Sequence, residues 1–256
     1  MTKSLFIVAH PDDETIFFGN SVTKLSDDGY SVYVLSLTDG ENGFVHHEAE
    51  DGRVSRVDRN SAPSLGEARG SEFIAACRIL GVTESFSLGL PDGGVGAEHS
   101  DQVAAFIRQF EPDIIYTFDP TGTSVHPDHQ ACFYLSLYAV ITIERPINLY
   151  HVQKPAEMVQ SMDEWSYTNT AGHAPAGISG FNERILQAAG QYLDQAKLIN
   201  YFQRIGFLAA PESHAEVRPQ WDDFGSQTVF SEPRVEKLYR DELEQYRLLI
   251  EPESSR

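Results

Sequence analysis

Apolar and polar residues alternate on two different length scales along this chain. The run SLFIVA (4–9) has no polar interruption, as expected of a strand buried on both faces. The segment ETIFFGNSVTKLSDDG (14–29) has helical spacing and stops at Gly29. SVYVLSLT (31–38) reads as a second strand, LGEARGSEFIAACRILGV (65–82) as a second helix closed by Gly81, and ESFSLGL (84–90) as a third strand. A third helix over 99–112, a fourth strand DIIYTF (113–118) and a fourth helix HPDHQACFYLSLYAVI (126–141) complete the series. Proline in the first turn of that last helix costs no hydrogen bond.

Such alternation builds a parallel sheet with right-handed crossovers. The expected fold is α/β, a Rossmann-like doubly wound, mainly parallel sheet with helices on both faces. In the common strand order 3-2-1-4, the chain leaves strands 1 and 4 in opposite directions, and a crevice opens at their carboxyl ends. A His-Pro-Asp tripeptide follows each of those two strands, so topology alone places both at one crevice.

The second half is less regular. PINLYHV (146–152) reads as a fifth strand, 183–205 as a helix despite Gly190, and 234–250 as a final helix with Val235, Leu238, Tyr239, Leu243, Tyr246 and Ile250 on one face. Between them, roughly 153–180 is rich in Gly, Pro, Ser and Thr, and long loops of this kind in compact domains are usually functional or disordered. With no repeat or linker, the 256 residues read as one domain, with a core over about 3–152 and additions over 153–256.

A net charge of −19 with no basic cluster makes nucleic acid an unsuitable partner. The amino-terminal apolar run is too short for a membrane span or signal peptide, so the expected location is cytoplasmic. Cys77 and Cys132 sit in helical segments without metal-ligand spacing and read as buried, inert thiols.

The candidate chemistry lies in AHPDDE (9–14) and HPDH (126–129). His10 and Asp13 are three apart, as are His126 and His129, and on a turn entering a helix such pairs aim at a common point. Two histidines and a carboxylate from two strand ends leave coordination positions open, as in catalytic zinc sites. Spacing alone does not say which of Asp12 and Asp13 binds the metal.

In this order AHPDDE, TDGENG (38–43), RGSEFIAACRILG (69–81), LPDG (90–93) and HPDH resemble the PIG-L or LmbE-like zinc-dependent N-deacetylases, which act on N-acetylglucosamine-containing small molecules. The resemblance covers roughly residues 3–141. It implies His10, Asp13 and His129 as metal ligands and Asp12 as the general base for the attacking water. It further implies a protonated His126 that stabilises the oxyanion, Asp128 as a partner orienting a histidine, and Arg69 and Asp92 as contacts to the sugar. Zn2+ is the expected ion, and Fe2+, Mn2+ or Co2+ can occupy the same ligands. Glu14 reads as an acid starting a helix.

The expected activity is removal of the N-acetyl group from a GlcNAc-type amino sugar or conjugate. The alternatives are an amidase for a larger sugar-linked amide such as a thiol-sugar conjugate, a non-haem Fe(II) oxygenase, and an inactive sugar-binding protein. The loop over 42–65 is long, and Val125 stands where the family frequently has glycine; both bear on substrate identity.

Overall fold

The computed structural model describes residues 1–43, 45–48, 54–57, 63–154, 182–195 and 212–217, together with 199, 203, 208 and 240. In chain order the strands are β1 (Lys3–Val8), β2 (Ser31–Thr38), β3 (Val45–Glu48), β4 (Val54–Val57), β5 (Glu84–Leu90), β6 (Ile114–Phe118), β7 (Asn148–Gln153) and β8 (Ser213–Glu216). The helices whose ranges are described are α1 (Asp13–Ile16), α2 (Gly19–Asp27), α3 (Pro63–Leu80), α4 (Ser100–Phe110), α5 (Gly122–Val125), α6 (Pro127–Thr142) and α7 (Glu183–Ala189).

The main sheet runs β5-β2-β1-β6-β7-β8, with the first five strands parallel and β8 antiparallel to β7. This is the doubly wound α/β arrangement, and β1 lies beside β6 with Leu5 opposite Ile115. β1 is buried from Ser4 through Val8, which explains its unbroken apolar run. The two His-Pro-Asp turns leave neighbouring strands, as the strand order required.

Three elements depart from the sequence reading. The first helix is divided into α1 and α2 at Phe17 and Phe18. Both of these consecutive rings turn to the core: Phe17 meets Phe118 and His129, and Phe18 meets Phe118 and Phe6. Neighbouring positions on one straight helix point about 100° apart, so burying both favours a break. The helix expected over 183–205 is interrupted: α7 stops at Gly190, a 3-10 turn follows at Leu193–Gln195, Ile199 and Gln203 are helical, and the rest of 196–205 lies outside the described residues. The polar loop after β2 contains the antiparallel hairpin β3–β4.

Most of the Gly/Pro-rich span and, except for Arg240, the final helix at 234–250 lie outside the described residues. Cys77 and Cys132 are free and buried. No described helix is long and apolar enough to cross a membrane.

Candidate active site

The turn after β1 is organised by Asp13. Its Oδ2 accepts the backbone N–H groups of Ala9 (3.2 Å) and His10 (2.8 Å), which fixes the carboxylate beneath the strand end. From there Oδ2 lies 3.5 Å from His10 Nδ1, and Oδ1 lies 3.3 Å from His129 Nε2. Burial opposes the Asp13 charge, but His129 and His10 outweigh it and hold the carboxyl far below its ordinary range.

His129 arrives from α6. Its ring stacks on Phe118 with centroids 4.1 Å apart, and Nδ1 lies 3.1 Å from the Gly122 carbonyl and 2.7 Å from Ser124 Oγ. With Nδ1–H given to that carbonyl, Nε2 is the nitrogen turned toward Asp13. Gly122 makes the approach feasible: it has φ +71, and a Cβ there would stand 2.8 Å from both His129 Cβ and the Gln130 nitrogen.

His126 is the N-cap of α6, extended before Pro127 as X-Pro geometry demands, and its Nδ1 accepts the Asp128 N–H at 3.2 Å. A lone pair on Nδ1 places the neutral ring's proton on Nε2. Burial, with His10 and His129 nearby, pushes the His126 pKa down to about 3. This burial favours a neutral ring with its proton on Nε2, against the protonated His126 expected from the resemblance.

Asp128 is fully buried and accepts the N–H groups of Gly93 (2.7 Å) and Val95 (3.2 Å). The histidine it orients is His10, whose Nε2 lies 3.3 Å from Asp128 Oδ2 and 3.1 Å from Asp92 Oδ1. Asp92 also accepts the Asn42 N–H at 2.9 Å, while its own N–H donates to Glu41 Oε1. The carboxylate expected at sugar hydroxyls is thus turned toward His10. Burial works against a charge on His10, but Asp128, Asp13 and Asp92 raise its pKa well above the ordinary value.

Asp12 is buried at φ 112, ψ −27, a strained conformation for a residue with a side chain. Burial first, then the charges of Asp13 and Glu14, raise its proton affinity against the pull of Arg69 and His10. Arg69, from α3, is 3% exposed, and its Nε and Nη2 meet no acceptor among the described residues. Glu14 is not a solvated helix-start acid. It is fully buried, accepts from Thr15 Oγ1 (2.5 Å), Tyr192 OH (2.7 Å) and the Asp12 N–H (3.1 Å), and is pushed up by burial to about 7.

The donor set fits a divalent cation. Ligands about 2.0–2.1 Å from a tetrahedral ion stand about 3.3–3.4 Å from one another, close to the separations of Asp13 from His129 (3.3 Å) and His10 (3.5 Å). The ring nitrogens of His10, His126 and His129 also lie within 4.8 Å of one another, and His10 forms a second such group with Asp92 and Asp128. All eight residues singled out in the sequence are buried or nearly so, and the six histidines and acids named in these groups and pairs converge on His10 and Asp13. Ser124, Gly122, Asn42 and Tyr192 were not anticipated. Asn42 stood inside the noted TDGENG motif, whereas nothing local marked Tyr192.

Known proteins share both the sequence and the fold. A 1D-myo-inositol 2-acetamido-2-deoxy-alpha-D-glucopyranoside deacetylase from Actinosynnema mirum is 29% identical over 179 residues, 62% of this chain and 62% of that protein. The chain therefore spans less than two thirds of that curated relative's length. Among solved structures, the N,N'-diacetylchitobiose deacetylase from Pyrococcus horikoshii superposes with a TM-score of 0.60 at 21% identity, covering 84% of each chain. GalB, the 4-carboxy-2-hydroxymuconate hydratase from Pseudomonas putida KT2440, also reaches 0.60 at 19% identity, covering 86% of this chain and 98% of its own. At these identities the two structures establish the fold alone. Residues 5–140 match the family described as GlcNAc-PI de-N-acetylase, just over half of the chain, and the protein belongs to this PIG-L family.

Proposed function

We propose that the protein is a metal-dependent N-deacetylase that hydrolyses the N-acetyl group of a GlcNAc-type amino sugar or its conjugate. His10, Asp13 and His129 would hold the ion, with zinc the first choice for a mixed imidazole and carboxylate set. The reading is carried by the Asp13 carboxylate, which faces His10 Nδ1 and His129 Nε2 at ligand-to-ligand distances while a second buried acid, Asp12, stands beside it.

A divalent ion held by His10, Asp13 and His129 would supply Lewis acidity for the amide carbonyl and for a water. Asp12 takes the proton of the attacking water, a role suited to a buried acid whose proton affinity its neighbours raise. His126 Nε2–H donates to the developing oxyanion as a neutral imidazole. Asp128 and Asp92 share the His10 Nε2–H and so aim Nδ1 at the ion's place. The free N–H groups of Arg69 take oxygen acceptors of the sugar, and Asp92 keeps lone pairs for a hydroxyl.

The test is acetate release by zinc-, iron(II)-, manganese- or cobalt-loaded protein from GlcNAc, diacetylchitobiose and inositol-linked GlcNAc. Equimolar acetate and free amine are expected from at least one compound. An acyl-length series separates the deacetylase from an amidase for larger sugar-linked amides. Failure to cleave any amide with every metal overturns the proposal.

A further inference from the structure

The Asp12 backbone is gripped from both sides. Its carbonyl accepts the N–H groups of Thr15 (3.0 Å) and Ile16 (2.9 Å), which start α1. Its own N–H points the other way, into Glu14 Oε2 at 3.1 Å. An aspartate at φ 112 needs this second hold, because its backbone otherwise relaxes toward negative φ and takes the carboxylate with it. Glu14 in turn is aimed from its other oxygen, where Oε1 accepts Thr15 Oγ1 from one side and Tyr192 OH from the other. The Thr15 contact is local to the turn, but Tyr192 comes from 178 residues away and lies beyond the segment 5–140 that matches the family. Tyr192 is 1% exposed, seated just after α7.

We propose that Tyr192 is a positioning residue for the general base: its hydroxyl orients Glu14, and Glu14 holds the strained Asp12 backbone so that the Asp12 side chain stays on the attacking water. The proposal rests on the deacetylase reading for what Asp12 does, and on hydrogen-bond geometry for how it is held. Tyr192, from the carboxyl-terminal half, thereby supports the catalytic turn through Glu14.

The chain of contacts orders the variants. Tyr192→Phe keeps the ring and its packing and removes one of two donors to Oε1, so kcat should fall roughly 5- to 10-fold with KM within twofold. Glu14→Gln still accepts from Tyr192 and Thr15 on its oxygen but turns an NH2 group toward the Asp12 N–H. Its kcat should fall about 100-fold or more. Because both act through one path, adding Tyr192→Phe to Glu14→Gln should change kcat by less than twofold. Bound metal and folded fraction, measured by elemental analysis and thermal unfolding, should match wild type in Tyr192→Phe. The second readout is hydrogen exchange at the Asp12 amide, which should speed up at least tenfold in Glu14→Gln and by less in Tyr192→Phe.

Wild-type kcat in Tyr192→Phe, an undiminished loss in the double variant, or a loss that tracks metal or folded fraction overturns the proposal. A wild-type protein that cleaves no amide overturns the functional reading instead, and the Asp12 amide then decides this one: unchanged exchange in both variants sinks it.

Discussion

His129 Nε2 faces Asp13 Oδ1 at 3.3 Å, while the other nitrogen of the same ring is held by the Gly122 carbonyl and Ser124 Oγ. The ring is thus fixed by α5 and offered to β1's turn. Replacing His129 by Gln should abolish high-affinity metal binding, measured by titration of apo protein. Ser124→Ala leaves the Gly122 carbonyl in place and should weaken metal binding by about 10- to 100-fold, the usual effect of removing a support behind a ligand. Full metal affinity in the His129→Gln protein would remove His129 from the ligand set.

Asp12 and Asp13 are adjacent in sequence and opposite in electrostatic character: His129 and His10 stabilise the charge of Asp13, whereas burial and its acidic neighbours raise the proton affinity of Asp12. Asp12→Asn should keep the metal and lower kcat by about 10²- to 10⁴-fold, the range for loss of a general base. Asp13→Asn should instead lose the metal. Elemental analysis beside steady-state kinetics separates the two, and an active Asp12→Asn protein would dismiss the base assignment.

How much of this was legible in the sequence follows from the range of each interaction. The β1-β6 adjacency could be read because uninterrupted apolar runs and helical periods are local, and handedness then leaves little freedom. The pairing of AHPDDE with HPDH followed from that topology. The break at Phe17 and Phe18 was not legible, because it arises from Phe118 on another strand. Glu14 does stand in the first turn of α1, as read, but its burial was not legible for a similar reason: besides the local Asp12 N–H and Thr15 Oγ1, one of its donors is a tyrosine 178 residues away. What favours a neutral His126 was also beyond the sequence, since it lies in burial, in Nδ1 accepting an N–H and in two other histidines nearby.

Arg69 is tightly walled. A Cβ on Gly43 would lie 2.3 Å from its guanidinium carbon, and one on Gly40 2.8 Å from Nη1. Gly43→Ala should therefore displace the guanidinium and reproduce part of an Arg69→Met defect without removing the charge. Both variants should raise KM, by about tenfold or more for Arg69→Met, since a hydrogen bond to a charged donor contributes about 1.5–3 kcal/mol. Unchanged KM in both would show that the free N–H groups take no part in sugar binding.

Glu212 ties the edge of the sheet to α2. It is fully buried, accepts the N–H groups of Asn20 (3.1 Å) and Ser21 (2.7 Å), and pairs with Lys154 Nζ at 2.9 Å. Lys154→Met strands a buried carboxylate and should destabilise by about 3–5 kcal/mol, read from denaturant midpoints. Restoring neutrality with Glu212→Gln in the same protein should recover part of the loss. A Lys154→Met protein as stable as wild type would mean that the Asn20 and Ser21 N–H groups and the Ser21 hydroxyl satisfy Glu212 without the ammonium.

The same region should make stability fall on the acid side. His214 Nε2 lies 2.6 Å from Ser21 Oγ and its ring 5.0 Å from that of Tyr116; burial lowers its pKa against the opposing effect of Glu212. His151, beside Phe133, is lowered by burial and by His214 although Asp119 opposes this. Both groups have an ordinary value of 6.5, so as pH falls the unfolded chain takes up their protons before the folded one does. Their contribution is complete above 6.5 and is lost as pH falls toward the folded values, by up to about 1.4 kcal/mol per pH unit for each site. His10, with a raised pKa, works in the opposite sense: its stabilisation is complete at low pH and is lost as pH rises through its folded value. Comparing each variant with wild type at every pH cancels that contribution. His214→Gln and His151→Phe should each flatten the fall in stability between pH 6.5 and about 5, before most carboxylates protonate. Denaturant unfolding at half-unit pH intervals measures this, and a difference from wild type that stays constant across the window would mean that neither histidine is kept neutral by the fold.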